Sequence, residues 1–565
     1  PRGDVGPARA RRRRPPGITA ALASVVAAGA ALPLVYLVIR ASDIGLAAAI
    51  DIVWSARTRD LLVNTSLLAL AVTAASVAIA VPLAWLTVRS DLPGRRTWAV
   101  LTALPLAIPT YVGSYAFVSA FGPRGVVQGW LEPLGVERLP EIYGFWGAWL
   151  VLTLFSYPYV LLTVRAGLRR LDPGAEEAAR TLGDSRLRAF RRVVLPQLRP
   201  AITTGSLLVA LYTLSDFGAV AMLRFDSFTR AIFLQYRGSL DRSVAAVLSL
   251  VLVALTITIL TAELRSRRET GYHRLHGGGS RVAATVPLGR WRWPAFGACA
   301  ALIGLALVAP LGIVAYWLVR GLSADEPLRL TTELITNSLQ ASGIGALLTV
   351  VAAWPVAVLS VRHRGRLARV IEGLAWSGYA LPGIVVALSL VFFGARVVPG
   401  LYQTHAMLAF AYAVLFLPQA VGAIRTSLLQ VTPSLEEASR LLGHGPLTTA
   451  RRVVLPLARP GVVAGGLLVF LTCMKELPAT LLLAPTGFDT LSTQVWNATS
   501  EAFFARAAAP ALALVLLSAL PMALLVVRES EGPLLGTGRR RRAQRAAEAS
   551  TGTDPAAPVE VAPAS

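Results

Sequence analysis

The sequence has almost no lysine, few cysteines and few charged side chains of any kind. Of its 565 residues only 15% are Asp, Glu, Lys or Arg, against about 25% in ordinary soluble domains. Apolar residues make up 55% of the chain, and its mean hydropathy is positive. A chain with so little charge cannot hide its apolar surface in one soluble core, so the composition predicts an integral membrane protein.

The scarcity of lysine and cysteine excludes two further classes of site. Lys475 is the one lysine, and it lies inside an apolar run, whereas a P-loop needs a lysine beside a glycine-rich turn. We therefore predict that the chain is not a Walker-type ATPase and not an enzyme. Cys299 and Cys473 lie far apart in apolar runs, so neither a disulfide framework nor a cysteine metal site is predicted.

Twelve apolar stretches of about 20 residues are long enough to cross a bilayer as helices. They lie near residues 18–40, 61–88, 98–121, 143–164, 200–223, 243–263, 294–319, 334–361, 370–395, 405–424, 460–483 and 506–527. The first stretch is too long for a cleaved signal peptide, and no small-residue cleavage site leads into a soluble domain. We therefore expect an all-α integral membrane protein with about 12 transmembrane helices.

Arginine is concentrated in alternate connections between these stretches. The arginine-rich connections lie at 11–14, 89–96, 165–199, 265–292, 362–369, 425–459 and 539–542. Because basic loops are retained in the cytoplasm, we predict that this face is cytoplasmic, with both termini on it, in a multi-pass protein of the cell (cytoplasmic) membrane. The net charge of +23 then follows from topology, and no nucleic-acid partner is predicted because no soluble basic domain is available.

The chain contains an internal duplication. Residues 176–200 read EEAARTLGDSRLRAFRRVVLPQLRP, and residues 436–460 read EEASRLLGHGPLTTARRVVLPLARP, aligned without a gap at an offset of 260. Further upstream, Asn64, Pro82 and Pro109 match Asn337, Pro355 and Pro382 at an offset of 273. An even number of spans separates the copies, so we predict two parallel six-helix halves with a pathway between them.

The composition divides the chain into five segments. We predict a basic cytoplasmic tail (1–17), a first six-span repeat (18–264), a cytoplasmic linker (265–293), a second six-span repeat (294–528) and a disordered cytoplasmic tail (529–565). The linker contains HGGGS at 276–280, which is a flexible and solvated composition. The tails are rich in Arg, Pro and Gly or in Ala, Pro and Glu, and they lack periodicity.

The duplicated segment predicts a short helix–turn–helix outside the membrane. Each copy has a residue that can cap a helix, a proline suited to its first turn and a glycine that ends it. These are Asp172, Pro173 and Gly183 in the first copy, and Thr432, Pro433 and Gly443 in the second. Glutamates in the first turn suit the helix dipole. An amphipathic helix resting on lipid would explain one copy, whereas two matching copies favour a surface that binds a partner.

Both copies resemble the signature of bacterial ABC importer permeases: EAA, three residues, Gly, nine residues, Ile, one residue and Leu-Pro. The first copy supplies Glu177, Ala178, Ala179, Gly183, Val193, Leu195 and Pro196; the second supplies Glu437, Ala438, Ser439, Gly443, Val453, Leu455 and Pro456. Val replaces Ile in both copies and Ser439 replaces Ala, and neither change alters the expected geometry. We call residues 172–196 and 432–456 the two EAA loops.

This resemblance implies the type I ABC importer permease fold and a set of partners. Each EAA loop is expected to sit in a groove of an ATP-binding subunit and to transmit its closure to the spans. Two separate ABC ATPase subunits would then carry ATP and Mg, while this chain binds no cofactor. An extracytoplasmic solute-binding protein would deliver the substrate. Since both halves are in one chain, a single copy is expected to complete the channel in the lipid bilayer.

Two equivalent polar breaks interrupt the spans that follow the EAA loops. They contain Ser215 and Asp216 in the first half and Lys475 and Glu476 in the second, again at an offset of 260. Charged groups at membrane depth are costly and usually face a cavity or a partner. Gly218 and Pro478 beside them predict locally broken helices. These four residues either line the pathway or its gate, or form a charge network, within Lys475–Glu476 or between the halves, that only holds spans together.

The stretches SDFG (215–218), KELPATLLL (475–483) and GFDTLSTQVW (487–496) resemble permeases of the ferric-iron uptake type, and the resemblance covers about residues 18–528. Thiamine, polyamine and aminoethylphosphonate permeases are similar. The five histidines form no ligand cluster, so no metal site is predicted. The leading hypothesis is an ABC permease for ferric iron. The alternatives are an ABC permease for another substrate, an ion-coupled secondary transporter that uses Asp216 and Glu476, and a non-transporting membrane scaffold.

Overall fold

The computed structural model describes residues 17–123, 125–238, 242–268, 285–363 and 365–531. Within these ranges the chain is helical, and the isolated bridge between Ser90 and Val286 is the only strand pairing. The all-α fold class is therefore confirmed. The glycine-rich part of the predicted linker and most of both predicted tails lie outside the described residues, so the division into five segments stays a prediction.

The first half contains thirteen α-helices in the described residues. They are α1 (Gly17–Ser42), α2 (Leu46–Trp54), α3 (Ala56–Arg89), α4 (Arg95–Leu101), α5 (Thr110–Phe121), α6 (Val126–Leu131), α7 (Phe145–Arg170), α8 (Pro173–Thr181), α9 (Arg186–Ala189), α10 (Leu195–Ser215), α11 (Gly218–Met222), α12 (Phe228–Gly238) and α13 (Ser243–Arg268). Short 3₁₀ turns follow α4 at Leu104–Ala107 and α6 at Glu132–Leu134, and a π turn at Phe190–Val194 joins α9 to α10.

The second half contains twelve α-helices in the described residues. They are α14 (Arg292–Ile303), α15 (Ala309–Ser323), α16 (Thr332–Arg362), α17 (Arg366–Trp376), α18 (Gly383–Arg396), α19 (His405–Gln430), α20 (Pro433–Leu441), α21 (Pro446–Thr449), α22 (Leu455–Lys475), α23 (Pro478–Leu483), α24 (Leu491–Ser500) and α25 (Phe504–Glu531). Short 3₁₀ turns lie at Gly289–Trp291, Ser377–Ala380 and Pro399–Leu401, and π turns at Gly304–Val308 and Ala450–Val454.

The two halves repeat the same elements in the same order. Helices α7 to α10 and helices α19 to α22 begin and end at residues that differ by the 260 positions of the sequence offset. Helices α3 and α16 end at Arg89 and Arg362, which are related by the offset of 273. The helices that flank each EAA loop pack alike, since α3 contacts α7 and α10, and α16 contacts α19 and α22. The predicted parallel six-helix halves are thus confirmed.

Ten helices in the described ranges are long and apolar enough to cross a membrane, or up to twelve if each of two bent pairs counts as one span. The bent pairs are Arg95–Ala107 with Thr110–Leu134, at 89°, and Arg366–Ala380 with Gly383–Arg396, at 107°. The apolar runs predicted the positions of these spans but not their bends. Each bend lies at a proline, Pro109 or Pro382, and the residue before it has extended backbone, because a proline disfavours the helical conformation of its predecessor.

The first long helix of each half packs against the other half. Helix α1 contacts α16, α17 and α18, and helix α15 contacts α5. Ser389 of α18 donates a hydrogen bond of 2.6 Å from its hydroxyl to the carbonyl of Pro33 in α1. The Tyr115 hydroxyl of α5 also donates a hydrogen bond between the halves, to the carbonyl of Phe504 at the start of α25, at 2.7 Å. The halves are therefore joined by direct helix contacts: α1 of the first half packs on the second half, and α15 of the second half packs on the first.

Candidate functional site

Both EAA loops contain a short helix that ends at a glycine in the left-handed region. The φ angles are +95° at Gly183 and +81° at Gly443. In each loop the glycine N–H and the N–H after it donate to carbonyls of the last helical turn at 3.0–3.2 Å. This is the Schellman pattern, which satisfies carbonyls that a helix end leaves unpaired and favours glycine at this position. The predicted helix breaks at Gly183 and Gly443 are confirmed.

The two EAA loops begin differently although their N-cap positions match. Asp172 accepts a hydrogen bond from the N–H of Gly174 at 3.0 Å, as predicted for a cap. Thr432 occupies the N-cap position but makes no capping bond to the helix backbone. Its hydroxyl instead accepts a hydrogen bond from Ser434 at 3.2 Å. The cap predicted at Asp172 is confirmed, whereas Thr432 provides only the position.

The second EAA loop is fixed to the end of α16. The Glu436 carboxylate lies 2.8 Å from the Arg362 guanidinium, and both side chains are largely buried. Ser439, which replaces the alanine of the signature, places its hydroxyl 3.0 Å from that of Thr449 and so links the two arms of the loop. The departure at Ser439 thus adds a bond while the backbone keeps the geometry of the first loop.

Leucines at the tips of both loops are exposed to a degree unusual for large apolar residues. Leu182 is 89% exposed and the equivalent Leu442 is 76% exposed, while Leu441 and Leu447 beside Leu442 are also strongly exposed. Glu177 and Glu437 are exposed in the same loops. Contiguous exposed apolar side chains rimmed by charges are typical of an interaction surface. The motif predicted the acidic and glycine positions, whereas these leucines were missed because the signature leaves their positions open.

Each EAA loop continues without interruption into a long span. A π turn joins the second arm of the loop to α10 or α22. Pro196 and Pro456 follow the π turns, and the wider turn accommodates the missing N–H and the ring of a proline inside a continuous helix. Helix α10 ends at Ser215 and helix α22 ends at Lys475. One helix in each half therefore connects the EAA loop to the polar break.

At the first break Asp216 leaves the helix in an extended conformation. Its carboxylate accepts hydrogen bonds from the N–H of Ala219 at 2.9 Å and from the hydroxyl of Thr110. The Thr229 hydroxyl donates to the Asp216 carbonyl at 2.7 Å. Asp216 is buried, and its carboxylate holds the start of α11 against the start of α5, immediately after the bend at Pro109.

The second break repeats this arrangement with a longer acid. The Glu476 carboxylate accepts a hydrogen bond from the N–H of Ala479 at 3.3 Å, and the Thr480 hydroxyl donates to its carbonyl at 2.6 Å. The carboxylate also lies against Gly383, the residue after Pro382. The locally broken helices predicted beside Gly218 and Pro478 are confirmed, because α11 and α23 begin at these residues after non-helical turns.

Lys475 is directed away from the acid next to it. Its ammonium donates a hydrogen bond of 2.8 Å to the carbonyl of Leu106, in the 3₁₀ turn before the first bend. Among the described residues neither Asp216 nor Glu476 is within 4.0 Å of a basic side chain. Lys475 therefore joins the halves through a backbone carbonyl and makes no ion pair with either acid in the described residues. Ser215 is half-buried at the position equivalent to Lys475.

The structure adds three residues to the predicted site: Leu106, Thr110 and Tyr111. Tyr111 is 3% exposed and follows Thr110 in α5. These residues belong to the bent span, more than 100 positions before Asp216 in the chain. The matched prolines at 109 and 382 were the available signal, since they mark equivalent breaks in two apolar runs.

An arginine beside each EAA loop contacts the helix that precedes the bend. Arg165 of α7 is buried and donates to the carbonyl of Ala99 in α4 at 2.6 Å. The equivalent Arg425 of α19 lies 3.5 Å from the carboxylate of Glu372 in α17. Positions 99 and 372 are themselves equivalent by the offset of 273. Each span that leads into an EAA loop is therefore tied to the helix whose end carries the bend.

The family described as "Binding-protein-dependent transport system inner membrane component" matches the chain twice, over residues 76–269 and 345–528. Each matched range contains one EAA loop, one bend and one polar break. The family therefore accounts for the duplication and for the repeated site.

Three relatives illustrate the similarity. The Fe(3+)-transport system permease protein FbpB 2 of Haemophilus influenzae is 37% identical over 91% of this chain and 98% of its own length. The ferric transport system permease protein FbpB of Actinobacillus pleuropneumoniae is 24% identical over 70% of this chain and 61% of its own length. The sulfate transport system permease protein CysT of Salmonella typhimurium is 33% identical over 34% of this chain and 68% of its own length.

These relatives are transport permeases, and the similarity to the first of them extends along both halves. Ten to twelve helices that can cross a membrane make this chain a multi-pass membrane protein. The duplicated match, the type I permease arrangement and the near full-length relative agree, and the chain belongs to the family of binding-protein-dependent transport system inner membrane components.

Proposed function

We propose that this chain is the membrane-spanning subunit of an ATP-driven importer that carries ferric iron across the cytoplasmic membrane. The observation that carries the choice of iron is the similarity to the Fe(3+)-transport system permease protein FbpB 2, which is 37% identical over 91% of this chain. The relative named for sulfate matches 192 residues, or 34% of the chain, which is less than one half. The similarity to FbpB 2, which extends over both halves, therefore supports iron more strongly than the shorter match supports sulfate.

We further propose that the EAA loops bind two separate ATPase subunits, one for each half. The exposed Leu182 and Leu442, next to the exposed Glu177 and Glu437, support this assignment. They provide an apolar centre with a charged rim, which suits a protein partner. ATP and Mg would be held by those subunits, because this chain has one lysine and that lysine is engaged with Leu106.

In this proposal the arginine-rich face, with both EAA loops and both termini, is cytoplasmic. The opposite face would receive iron from an extracytoplasmic binding protein, and one copy of the chain would complete the channel. Closure of the ATPase subunits would move each loop, and continuous α10 and α22 would carry that movement to Asp216 and Glu476. Arg165 and Arg425 would carry it to the bends.

Replacement of the two loop glutamates tests the docking role. We expect Glu177→Ala with Glu437→Ala to weaken co-purification of the ATPase subunits and to abolish ferric-iron uptake by cells that also express the binding protein. Glu132→Ala is the matched control, because Glu132 is an exposed acid outside both loops. Unchanged ATPase binding together with unchanged uptake in the double variant would refute the docking role.

The choice of substrate is tested separately with the unaltered chain. Cells that depend on this chain, its ATPase and its binding protein should take up ⁵⁵Fe supplied as ferric citrate, and excess thiamine, polyamine, phosphonate or sulfate should not compete. Competition by one of these compounds without iron uptake would replace the proposed substrate. Iron uptake that survives deletion of the ATPase but collapses with the proton gradient would instead support ion-coupled transport.

A further inference from the structure

We propose that the start of α14 and the start of α4 together form a binding surface for the headgroups of anionic phospholipids. We call it the headgroup surface, and it consists of Arg95, Arg96, Arg290, Trp291, Arg292 and Trp293. The proposal goes beyond transport and does not depend on the cargo. It assigns a lipid ligand to residues that lie outside the EAA loops and the polar breaks.

Two arginines and two tryptophans alternate where the first span of the second half begins. Arg290 and Trp291 lie in the 3₁₀ turn that leads into α14, and Arg292 and Trp293 are the first residues of that helix. All four are exposed, Trp291 to 62% and Trp293 to 71%. The helical segment Gly289–Ser323 is long and apolar enough to cross a membrane. The run therefore lies at the end of a span, at the level of the lipid headgroups.

The connection between α3 and α4 is held against the residues that precede α14. The N–H of Val286 donates to the carbonyl of Arg89 at 2.7 Å, and the N–H of Asp91 donates to the carbonyl of Val286 at 3.2 Å. The Asp91 carboxylate also accepts a hydrogen bond from the N–H of Leu288 at 2.8 Å. These bonds bring two segments that are almost 200 positions apart in the chain to one place.

Aromatic rings continue this contact between the two helices. The ring centroids of Trp98 in α4 and Phe296 in α14 are 5.2 Å apart, and those of Phe296 and Trp293 are 6.0 Å apart. Arg95 and Arg96 open α4, in the turn that precedes Trp98. The basic ends of α4 and α14 thus lie side by side and form one surface.

The positive charge of this surface is not compensated by the protein. None of its four arginines lies within 4.0 Å of an acidic side chain in the described residues, and the same is true of Arg89 at the end of α3. Arg89 is only 6% exposed, and a buried charge without a partner is costly. Asp91, the acid of this connection, is engaged with Leu288. An anionic group bound here would remove that cost.

The combination of residues fits a phospholipid. A guanidinium donates paired hydrogen bonds to a phosphate group, and tryptophan rings favour the headgroup level of a membrane. Clusters of basic residues next to a span attract anionic lipids. Retention of basic loops in the cytoplasm explains the arginines alone, but it explains neither the exposed tryptophans between them nor the bonds that join the two segments. A surface at the start of a span also meets lipid before it meets a soluble protein.

Lipid binding to the purified full chain in detergent tests the arginines. Native mass spectrometry would give the Kd of the first bound lipid for dioleoylphosphatidylglycerol, which is anionic, and for dioleoylphosphatidylcholine, which has no net charge. We expect the anionic lipid to bind more tightly. Arg290→Gln with Arg292→Gln should raise its Kd about tenfold or more, which corresponds to about 1.4 kcal/mol. Arg138→Gln with Arg329→Gln is the matched control, because both are exposed arginines outside the headgroup surface, and it should leave this Kd unchanged.

Three further variants test the other parts of the surface. Arg96→Gln should also raise the Kd for phosphatidylglycerol, because α4 contributes to the surface. Trp291→Ala should raise it as well, whereas Trp54→Ala, which removes a tryptophan that is 74% exposed elsewhere, should not. Arg290→Lys with Arg292→Lys keeps the charge and should retain the preference for the anionic lipid. The replaced side chains are exposed, and thermal unfolding without added lipid establishes that each variant is folded.

The proposal is overturned if the two lipids bind equally, or if the arginine variant binds phosphatidylglycerol as tightly as its control does. Displacement of the lipid by inorganic phosphate alone would assign the surface to a free anion. Loss of ATPase co-purification by the arginine variant, with lipid binding unchanged, would assign it to a protein partner. Either result would contradict a lipid surface. Failure of ferric-iron uptake would refute the proposed function and leave these lipid measurements unaffected.

Discussion

At the scale of single residues, the two halves differ in side-chain size at the polar breaks. The first half pairs a shorter acid with a threonine, and the second half pairs a longer acid with a glycine; we call this difference the matched exchange. Asp216 faces the side chain of Thr110, whereas the longer Glu476 faces Gly383. A Cβ added to Gly383 would lie 2.6 Å from a carboxylate oxygen of Glu476. The extra methylene of the glutamate therefore occupies the space that a side chain at position 383 would need.

A double variant tests this exchange. We expect Gly383→Thr to displace the Glu476 carboxylate and to lower ferric-iron uptake, with an overpacking cost of about 1–3 kcal/mol. Adding Glu476→Asp should restore most of the uptake, because the second half then has the Thr–Asp pair of the first. The measurement is uptake by the single and double variants at equal membrane levels. Full activity of Gly383→Thr, or no rescue by Glu476→Asp, would contradict the matched exchange.

A second residue-scale prediction concerns Asp226, which lies between α11 and α12. The hydrogen bond from Arg57 holds the pKa of the Asp226 carboxyl below its ordinary value, although burial opposes this effect. A lowered folded-state pKa contributes stability above the ordinary pKa, and that stability is lost as pH falls through the folded-state pKa. Asp226→Asn should therefore lower thermal stability at pH 7 and have less effect below about pH 4.

The expected size of this effect is small because both side chains are more than one-third exposed. Exposed pairs contribute about 0.2–1 kcal/mol, and the second arginine, Arg230, places this pair toward the upper end. The measurement is the midpoint of thermal unfolding in detergent at both pH values. Asp51→Asn serves as the control, since Asp51 is an exposed acid of α2. An equal loss of stability by Asp226→Asn at neutral and acid pH would rule out this linkage.

The sequence offset identified Asp216 and Glu476, but it could not identify their neighbours. Polarity inside an apolar run is visible in a single sequence, and so are two copies of it. The contacts with Thr110 and Leu106 depend on how sharply another span bends, and the burial of Tyr111 depends on tertiary packing. Such tertiary features are not encoded in local composition.

At the scale of elements, local sequence signals predicted the helices of the EAA loops, but they did not predict the bends in two of the spans. Proline at a helix start, glycine at its end and an acid in its first turn are local signals, and α8 and α20 begin at Pro173 and Pro433 as expected. Mean hydropathy indicates whether a segment is buried in the bilayer, but it carries no information on whether the helix axis bends. The bends at Pro109 and Pro382 were therefore hidden inside two apolar runs of ordinary length.

The crossing of α10 with α7 yields an element-scale prediction with a built-in control. A Cβ added to Gly205 would lie 2.7 Å from the Val160 Cα, whereas one added to the equivalent Gly465 would lie 3.2 Å from the Ala423 Cβ and 3.5 Å from the Ala420 Cα. We expect Gly205→Ala to destabilise the protein by about 1–3 kcal/mol, because backbone would have to move. Gly465→Ala should have a smaller effect, because its nearest contact is longer. The check is thermal unfolding in the same detergent, and equal effects of the two variants would contradict it.

At the scale of the whole molecule, the repeat predicted two parallel halves but not the exchange of their first long helices. Parallel orientation follows from counting spans, which a sequence permits. Which half a given apolar helix contacts depends on side-chain fit over a large surface, and α1 and α15 are apolar like the other spans. The family match begins at residue 76 and again at residue 345, so these exchanged helices precede the matched ranges in both halves.

The packing of α1 and α15 against the opposite halves predicts that the halves assemble even when the chain is divided. We expect residues 1–276 and 277–565, expressed as two chains, to co-purify and to support ferric-iron uptake with the ATPase and binding protein. The contacts of α1 with α16, α17 and α18, and of α15 with α5, do not require a covalent connection. Either half alone leaves the surfaces that receive these helices uncovered, and should be aggregated or degraded.

Removing two hydrogen bonds between the halves tests how much each contributes to this assembly. Ser389→Ala removes the bond to Pro33, and Lys475→Met removes the bond to Leu106. Hydrogen bonds between membrane helices contribute about 0.6 kcal/mol on average. Each change should therefore reduce co-purification of the divided chain modestly. The effects of the two changes together should be additive. Thr426→Ala is the control, since its hydroxyl bonds within its own helix. Halves that fold and remain separate would show that the exchanged helices do not hold the molecule together, and assembly would then depend on the covalent connection.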